Sequence, residues 1–223
     1  MAATAVFSSP AMHRLCSSLE SSVDSPTTQR RELKYECQSI AHFCIYNKLK
    51  THPLAQAGSL AIPPVGQISP SMHRVAKVVQ RVAGEVEKRY NTQFNDMCCK
   101  LRLTTTTAYA TFAAVANEMF SSGVNWGRIA ALFAFVTSLA WSLTERGHIG
   151  VVERMPDWVA QFVEKNVGEW IASKGSWNAF VQEFERKCPD EITYDIENTD
   201  CGLTKLNIAT LFGLLIATAF LTK

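Results

Sequence analysis

The chain has 223 residues, 47% of them hydrophobic, which is enough apolar material for the core of one sizeable domain. Its 22 basic and 20 acidic residues give a formal net charge of +2, which does not indicate the basic surface of a nucleic-acid-binding protein. Seven cysteines, an odd number without CxxC spacing, fit neither a secreted disulfide scaffold nor a zinc site, and they favour a reducing, intracellular compartment.

The N-terminal part of the chain divides into a tail, a first helix and a proline-rich loop. Residues 1–29 contain ten Ser or Thr and no Trp or Tyr, so we predict a disordered tail, because too little apolar surface is present to offset the entropy of ordering. A folded domain is expected over residues 30–188, beginning with a helix from about Arg30 to Lys50. Residues 51–70 hold four of the eight prolines, and we predict a loop there.

From Ser71 onward the pattern is helical, which predicts an all-α fold. Val75, Val79, Val82 and Val86 are spaced i, i+4, i+7 and i+11, which places them on one face of a helix. The stretch from Ile129 to Thr144 carries no charge in sixteen residues and predicts a helix buried at the centre of the bundle. The alternative is a membrane span, which the length disfavours, since a span usually needs about 20 apolar residues.

The C-terminal part is predicted to be a membrane anchor. After a linker at residues 189–205, residues 206–222 carry no charge and are bracketed by Lys205 and Lys223. At a rise of about 1.5 Å per residue, this segment reaches roughly 25 Å, against a hydrocarbon core of roughly 30 Å, which favours a thin organelle membrane. The alternative is an amphipathic helix packed on the domain.

Two sequence motifs point to a family. The stretch FSSGVNWGRIAALFAF, from Phe120 to Phe135, contains NWGR and is very similar to the first homology motif of Bcl-2 family apoptosis regulators. Forty-five residues after Asn125, the stretch WIASKGSWNAFVQEF, from Trp170 to Phe184, resembles the second homology motif. The region from Tyr90 to Phe184 is similar to the Bcl-x-like pro-survival type, and the helix with the four valines lies where the family has its third motif.

The resemblance implies a globular bundle of about eight helices around the central hydrophobic helix, with a surface groove that binds an amphipathic helix. In that groove, Arg128 would pair with an aspartate of the ligand helix, and Arg89 is a second, more exposed candidate. On the family pattern, the residues of the groove are Val86, Arg89, Tyr90, Phe94, Met97, Val115, Met119, Asn125, Gly127, Arg128, Ala131, Phe135 and Phe184.

Several of these residues also have purely structural interpretations. Asn125 precedes an apolar helix and can be its N-cap, while Gly127 can serve close helix approach. Trp126 and Trp177 are more typical of core anchors than of ligand contacts. An isolated Arg128 would be a solvated surface charge, and only its NWGR setting favours the binding role.

The resemblance implies a pro-survival regulator that sequesters the third-motif (BH3) helices of pro-apoptotic relatives, both Bak/Bax-like and BH3-only proteins. The alternative is a Bak/Bax-like pore-forming effector, which Gly84 disfavours, since the family's ligand helices carry an aspartate at that position. The expected location is the cytoplasmic face of the mitochondrial outer membrane, with the endoplasmic reticulum and a cytosolic fraction as further possibilities.

An enzyme is the third hypothesis, and the sequence gives it little support. No glycine-rich phosphate loop or nucleophile elbow is present, and the five histidines lack metal-ligand spacing. We therefore expect no catalytic activity, no cofactor, no metal site and no nucleic-acid partner.

Overall fold

A computed structural model of the chain describes residues 26–57, 66, 68–101 and 103–187. Within these ranges there are ten helical segments and no strand, and eight of the segments have six or more residues. In chain order they are α1 (Pro26–Leu49), α2 (Pro53–Gln56), α3 (Pro70–Arg89), α4 (Asn91–Lys100), α5 (Ala108–Phe120), α6 (Trp126–Glu145), α7 (Ile149–Val152), α8 (Met155–Asn166), α9 (Gly168–Ser173) and α10 (Ser176–Lys187). The all-α prediction is confirmed.

The first helix begins earlier than the sequence pattern indicates. Helix α1 starts at Pro26, four residues before the predicted start at Arg30, so the end of the tail was placed too late. Proline is well suited to the first turn of a helix, because its missing N–H would have no partner there in any case. The rest of the predicted tail lies outside the described residues.

The proline-rich segment contains more helix than predicted. Pro53–Gln56 forms α2, whose first turn is capped by the His52 ring, and Pro70 is already the first residue of α3, capped by the Ser69 side chain. Both prolines occupy the first turn, where no intrahelical donor is needed. Most of the remaining loop lies outside the described residues.

Helix α3 packs its valine face inward as predicted. Val75, Val79, Val82 and Val86 are all buried, at 5% exposure or less, and Lys77 on the opposite face is exposed. Helix α3 packs against α6, α1 and α10. The i, i+4, i+7 spacing therefore identified the correct face.

Helix α6 is the centre of the bundle. Sixteen of its twenty residues are buried, including every residue from Ile129 to Ala140. It contacts α1, α3, α4, α5 and α7. In the described part of the chain, it is the one helix that is long and apolar enough to cross a membrane, and 83% of its apolar window is buried inside the protein. This packing is that of a core helix.

A polar cluster joins α1, α3 and α6, and we call its four members, Lys48, Glu87, Ser138 and Trp141, the Lys48 cluster. The Lys48 ammonium lies 2.7 Å from Glu87 Oε1, and the Ser138 hydroxyl donates to the same oxygen at 3.3 Å. The ammonium also lies 5.3 Å from the centre of the Trp141 ring, in cation–π contact. The cluster ties the C-terminal part of α3 to the first and the central helix.

A close approach of α9 to α1 depends on a glycine. A Cβ added at Gly168 would lie 3.1 Å from Leu33 Cδ2 and 3.3 Å from the Val163 carbonyl oxygen. Both distances are tighter than ordinary van der Waals contact, so this position fixes how closely α9 and the end of α8 can approach α1.

The four described cysteines are free thiols with different environments. Cys37 and Cys44 are fully buried in α1, and burial raises the pKa of each thiol far above its usual range. Burial also raises the pKa of Cys98 to about 12, whereas Cys99 is exposed. The described residues therefore offer one accessible thiol. The predicted linker, 189–205, and the predicted anchor, 206–222, lie outside the described residues.

Candidate helix-binding groove

The residues predicted to line a groove come from five helices that pack beside one another. Helix α6 contacts α3, α4 and α5, while α10 contacts α3. Eight apolar members belong to one contiguous core cluster, and each is at most 5% exposed. They are Val86, Phe94, Met97, Val115, Met119, Ala131, Phe135 and Phe184. Tyr90 is half-buried and packs against the same cluster.

The structure buries these side chains in the core cluster. The resemblance implies that they line pockets between helices, and that role stays a prediction. An incoming helix would have to replace these contacts with its own apolar side chains.

The N-terminus of α6 lies at one end of this region and is capped by Asn125. The Asn125 Oδ1 accepts a hydrogen bond from the Arg128 backbone N–H at 2.8 Å, and its backbone is extended. The capping interpretation of Asn125 is thus confirmed, and such a cap contributes about 1 kcal/mol. Gly127, in the first turn, is buried, in keeping with close helix approach.

The Arg128 guanidinium is hydrogen-bonded at Nη1 but has no hydrogen-bond partner at Nε. Its Nη1 donates a hydrogen bond to the carbonyl oxygen of Gly123, five residues earlier. Its Nε is buried and has no hydrogen-bond partner, and no carboxylate in the described part of the chain forms an ion pair with Arg128. The protein therefore orients the guanidinium through Nη1. The buried Nε–H donor has no acceptor among the described residues.

The turn before α6 places the carbonyl that Arg128 uses. The chain leaves α5 at Phe120, and the Gly123 N–H donates to the Phe120 carbonyl oxygen at 3.0 Å. Gly123 has a φ of +106°, a conformation that residues with a side chain rarely adopt. The sequence prediction missed Gly123, although a glycine just after the end of a helix is a known signal for a positive φ.

An aromatic cluster packs around Trp126 at the N-terminus of α6. The Trp126 ring lies 4.8 Å from the ring of Trp170 in α9 and 5.5 Å from that of Phe180 in α10. Trp177 is 2% exposed and contacts the same Trp126 ring at 6.5 Å. Trp126 and Trp177 are thus structural, as predicted, and they join the two motifs through the core.

Arg89 is the last residue of α3 and is half-buried. It has interactions within the protein. Arg128 has a buried Nε without a hydrogen-bond partner. Across residues 26–57, 68–101 and 103–187, no group of three His, Cys, Asp or Glu could hold a metal ion.

Comparisons with known proteins agree with this geometry. The sequence model of the family described as "Apoptosis regulator proteins, Bcl-2 family" matches residues 79–177. The chain is 37% identical over 124 residues to "Apoptosis regulator R1" of Xenopus laevis, covering 55% of this chain and 53% of that protein. It is 35% identical over 111 residues to "Bcl-2-like protein 1" of Homo sapiens, covering 50% and 48%. The chain thus spans about half the length of these relatives.

Solved structures extend the likeness to about two thirds of the chain. The crystal structure of Trichoplax adhaerens trBcl-2L2 bound to trBak BH3 is 32% identical, with a TM-score of 0.56, over 66% of this chain and 99% of that one. The crystal structure of chicken BOK, at 21% identity and a TM-score of 0.57 over 69% of this chain and 97% of that one, shows the shared fold alone. The two motifs, the buried central helix and these matches together show that the chain belongs to the Bcl-2 family of apoptosis regulators.

Proposed function

We propose that this protein is a pro-survival regulator, which sequesters the BH3 helices of pro-apoptotic relatives in the groove between α3, α4, α5 and α6. The observation that carries the proposal is Arg128, whose guanidinium is oriented by Gly123 and whose buried Nε lacks an acceptor. A BH3 helix brings apolar side chains for the floor and one aspartate for this arginine.

The energetics of Arg128 favour an acidic ligand. A buried N–H without an acceptor costs about 1–3 kcal/mol, and more when the group is charged. A carboxylate placed beside the guanidinium supplies the missing acceptor and neutralises the charge, and such bonds are about twice as strong as neutral ones. An aspartate at the central position of a ligand helix would therefore be selected over a neutral residue.

A relative with a bound ligand supports the same assignment. The Trichoplax protein, at 32% identity, is bound to a Bak BH3 segment, and this chain covers 99% of its length. By analogy we propose BH3 helices of Bak/Bax-like and BH3-only proteins as the partners. Phe94, Met97 and Phe135 are each about 1% exposed or less, so an incoming helix would have to displace the atoms that now cover them.

Gly84 supports the pro-survival role over the effector role. It is half-buried in α3, and no heavy atom beyond its own helix lies within 4 Å of the position that a Cβ would take. An effector uses its own third-motif helix as the ligand of a neighbour's groove, and that ligand needs an acid. Helix α3 offers glycine where the acid would stand, so it is a poor donor.

The binding test uses the full-length chain in mild detergent and a fluorescent BH3 peptide of about 25 residues. We expect nanomolar to micromolar affinity and a gain of peptide helicity by circular dichroism. Arg128→Ala should weaken binding tenfold or more, that is by about 1.4 kcal/mol or more. The control is Arg81→Ala, which removes an arginine from the exposed face of α3. Unchanged affinity in a folded Arg128→Ala protein would remove Arg128 from the site.

Release from liposomes distinguishes the two roles. In vesicles of mitochondrial lipid composition, the full-length protein should protect against release by an effector and should cause none when the BH3 peptide is added. If the peptide instead triggers release by this chain alone, the protein is an effector and the pro-survival proposal is wrong.

We also propose that residues 206–222 anchor the protein to the cytoplasmic face of the mitochondrial outer membrane or to the endoplasmic reticulum. The support is the uncharged run in the sequence, bracketed by Lys205 and Lys223.

A further inference from the structure

We propose that Gly123 is a positioning residue for Arg128: its left-handed backbone aims the carbonyl that holds the guanidinium ready for a ligand's carboxylate. The inference rests on the proposed helix-binding function and adds to it a residue outside the NWGR sequence.

Position 123 requires glycine because of its backbone angle and not because a side chain would lack space. Its φ of +106° lies in the region that side chains disfavour, yet no heavy atom would lie within 4 Å of a Cβ at this position. A side chain here would therefore clash only with its own backbone. The glycine is needed for the direction of the chain, and hence for the direction of its carbonyl.

That carbonyl has a defined use. It accepts the hydrogen bond from Arg128 Nη1, while Asn125 Oδ1 accepts from the Arg128 backbone N–H at 2.8 Å. The main chain and the far end of the same residue are thus both fixed by the segment that precedes α6. The buried Nε, between them, is left without an acceptor.

Holding the guanidinium in this way affects ligand binding through entropy. Ordering a long side chain on binding lowers the affinity by about two- to twelvefold, and a side chain that is already ordered avoids this loss. If the carbonyl of residue 123 turns away, Arg128 loses its anchor and becomes a mobile surface charge. The loss should then appear only with a ligand that has a carboxylate to pair with.

The test compares Gly123→Ala with the wild type in the full-length protein, using two BH3 peptides that differ by one Asp→Ala change. For the aspartate peptide we expect about a two- to twelvefold loss of affinity in Gly123→Ala. For the alanine peptide we expect less than a twofold change, since it does not use Arg128. An equal loss for both peptides, or none for either, would overturn the positioning role.

The chain provides a matched control at the other end of α6. Gly147 has a φ of +78° and likewise no heavy atom within 4 Å of a Cβ position, so Gly147→Ala introduces the same kind of strain away from the groove. It should leave the preference for the aspartate peptide unchanged. If Gly123→Ala fails to fold, Gly123→Asn replaces it, because asparagine enters positive φ more readily and should give a smaller loss of the same kind.

A second readout needs no peptide and separates this inference from the proposed function. ¹⁵N relaxation of the Arg128 Nε–H reports how ordered the side chain is. We expect Gly123→Ala to lower its order parameter and Gly147→Ala to leave it unchanged. If the wild type binds no BH3 peptide while this difference is seen, the helix-binding proposal fails and the positioning role of Gly123 stands. If no difference is seen, the positioning role fails.

Discussion

The Lys48 cluster offers a direct measure of what holds α3 in the bundle. Its ion pair joins residues 39 positions apart, and the two side chains are 32% exposed at Lys48 and 20% exposed at Glu87. Two changes probe it. Glu87→Gln removes one charge and keeps the shape, while Lys48→Met removes the other and keeps the apolar stem against Trp141.

The expected magnitude follows from the partial burial of the pair. Exposed ion pairs contribute about 0.2–1 kcal/mol, whereas truncating one partner of a fully buried pair costs about 3–5 kcal/mol. A pair that is one fifth to one third exposed lies between these limits. We expect each single substitution to lower the free energy of unfolding by about 2 kcal/mol. For a domain of this size, this is a fall in Tm of about 4–8 °C.

The assay is urea unfolding of the full-length protein in detergent, followed by circular dichroism, for both single variants and the double variant. The double variant leaves no charge unpaired, so the energies should not add, and a coupling energy of about 1–2 kcal/mol is expected. The matched control is Glu85→Gln, which removes the exposed Lys88–Glu85 pair within α3 and should change stability by less than about 0.5 kcal/mol.

Two results would refute the reasoning. If the effects of Lys48→Met and Glu87→Gln add to within about 0.3–0.5 kcal/mol, the residues do not act as a pair. If Glu85→Gln destabilises the protein as much as Glu87→Gln, loss of charge on α3 in general is responsible, and the link from α3 to α1 and α6 has no special part.

Two further predictions concern packing and thiol reactivity. Gly168→Ala should destabilise the protein by about 1–2 kcal/mol in thermal unfolding, because the added Cβ crowds α1. In the same assay, Gly150→Ala, in open space within α7, should be neutral or slightly stabilising. At pH 8, iodoacetamide should modify the exposed Cys99 at least tenfold faster than Cys37, whose burial raises its pKa, as peptide mass spectrometry can measure; comparable rates would mean that α1 opens readily.

The sequence predicted those features that depend on local periodicity or on a specific motif. The spacing of the α3 valines identified the buried face, and the uncharged run from Ile129 to Thr144 identified the central helix. The NWGR motif pointed to Arg128 and to the Asn125 cap, because capping involves residues only three positions apart.

The features that were missed depend on contacts distant in sequence or on backbone angles. The Lys48–Glu87 pair leaves no pattern, since each residue alone is an ordinary charged residue on a helix. The burial of the predicted groove residues depends on how several helices pack together, which no single segment determines. The contact between the Gly123 carbonyl and Arg128 depends on the φ of Gly123 and on the direction of that carbonyl. A glycine in the sequence indicates only that a positive φ is permitted.

The packing of α3 bears on whether the protein donates this helix to a neighbour's groove or receives a BH3 helix in its own. To act as a donor, α3 would have to leave the bundle, exposing its valine face and separating Lys48 from Glu87, and its tie to α10 through the Arg74–Glu185 ion pair would also break. The released helix would then present Gly84 where a neighbour's arginine requires an acid. Under the proposed function, α3 stays in place and the ligand supplies the acceptor that the buried Nε of Arg128 lacks. The two ion pairs oppose release of α3, and Gly84 opposes its use as a ligand, so both observations support the proposed role as a receiver of BH3 helices.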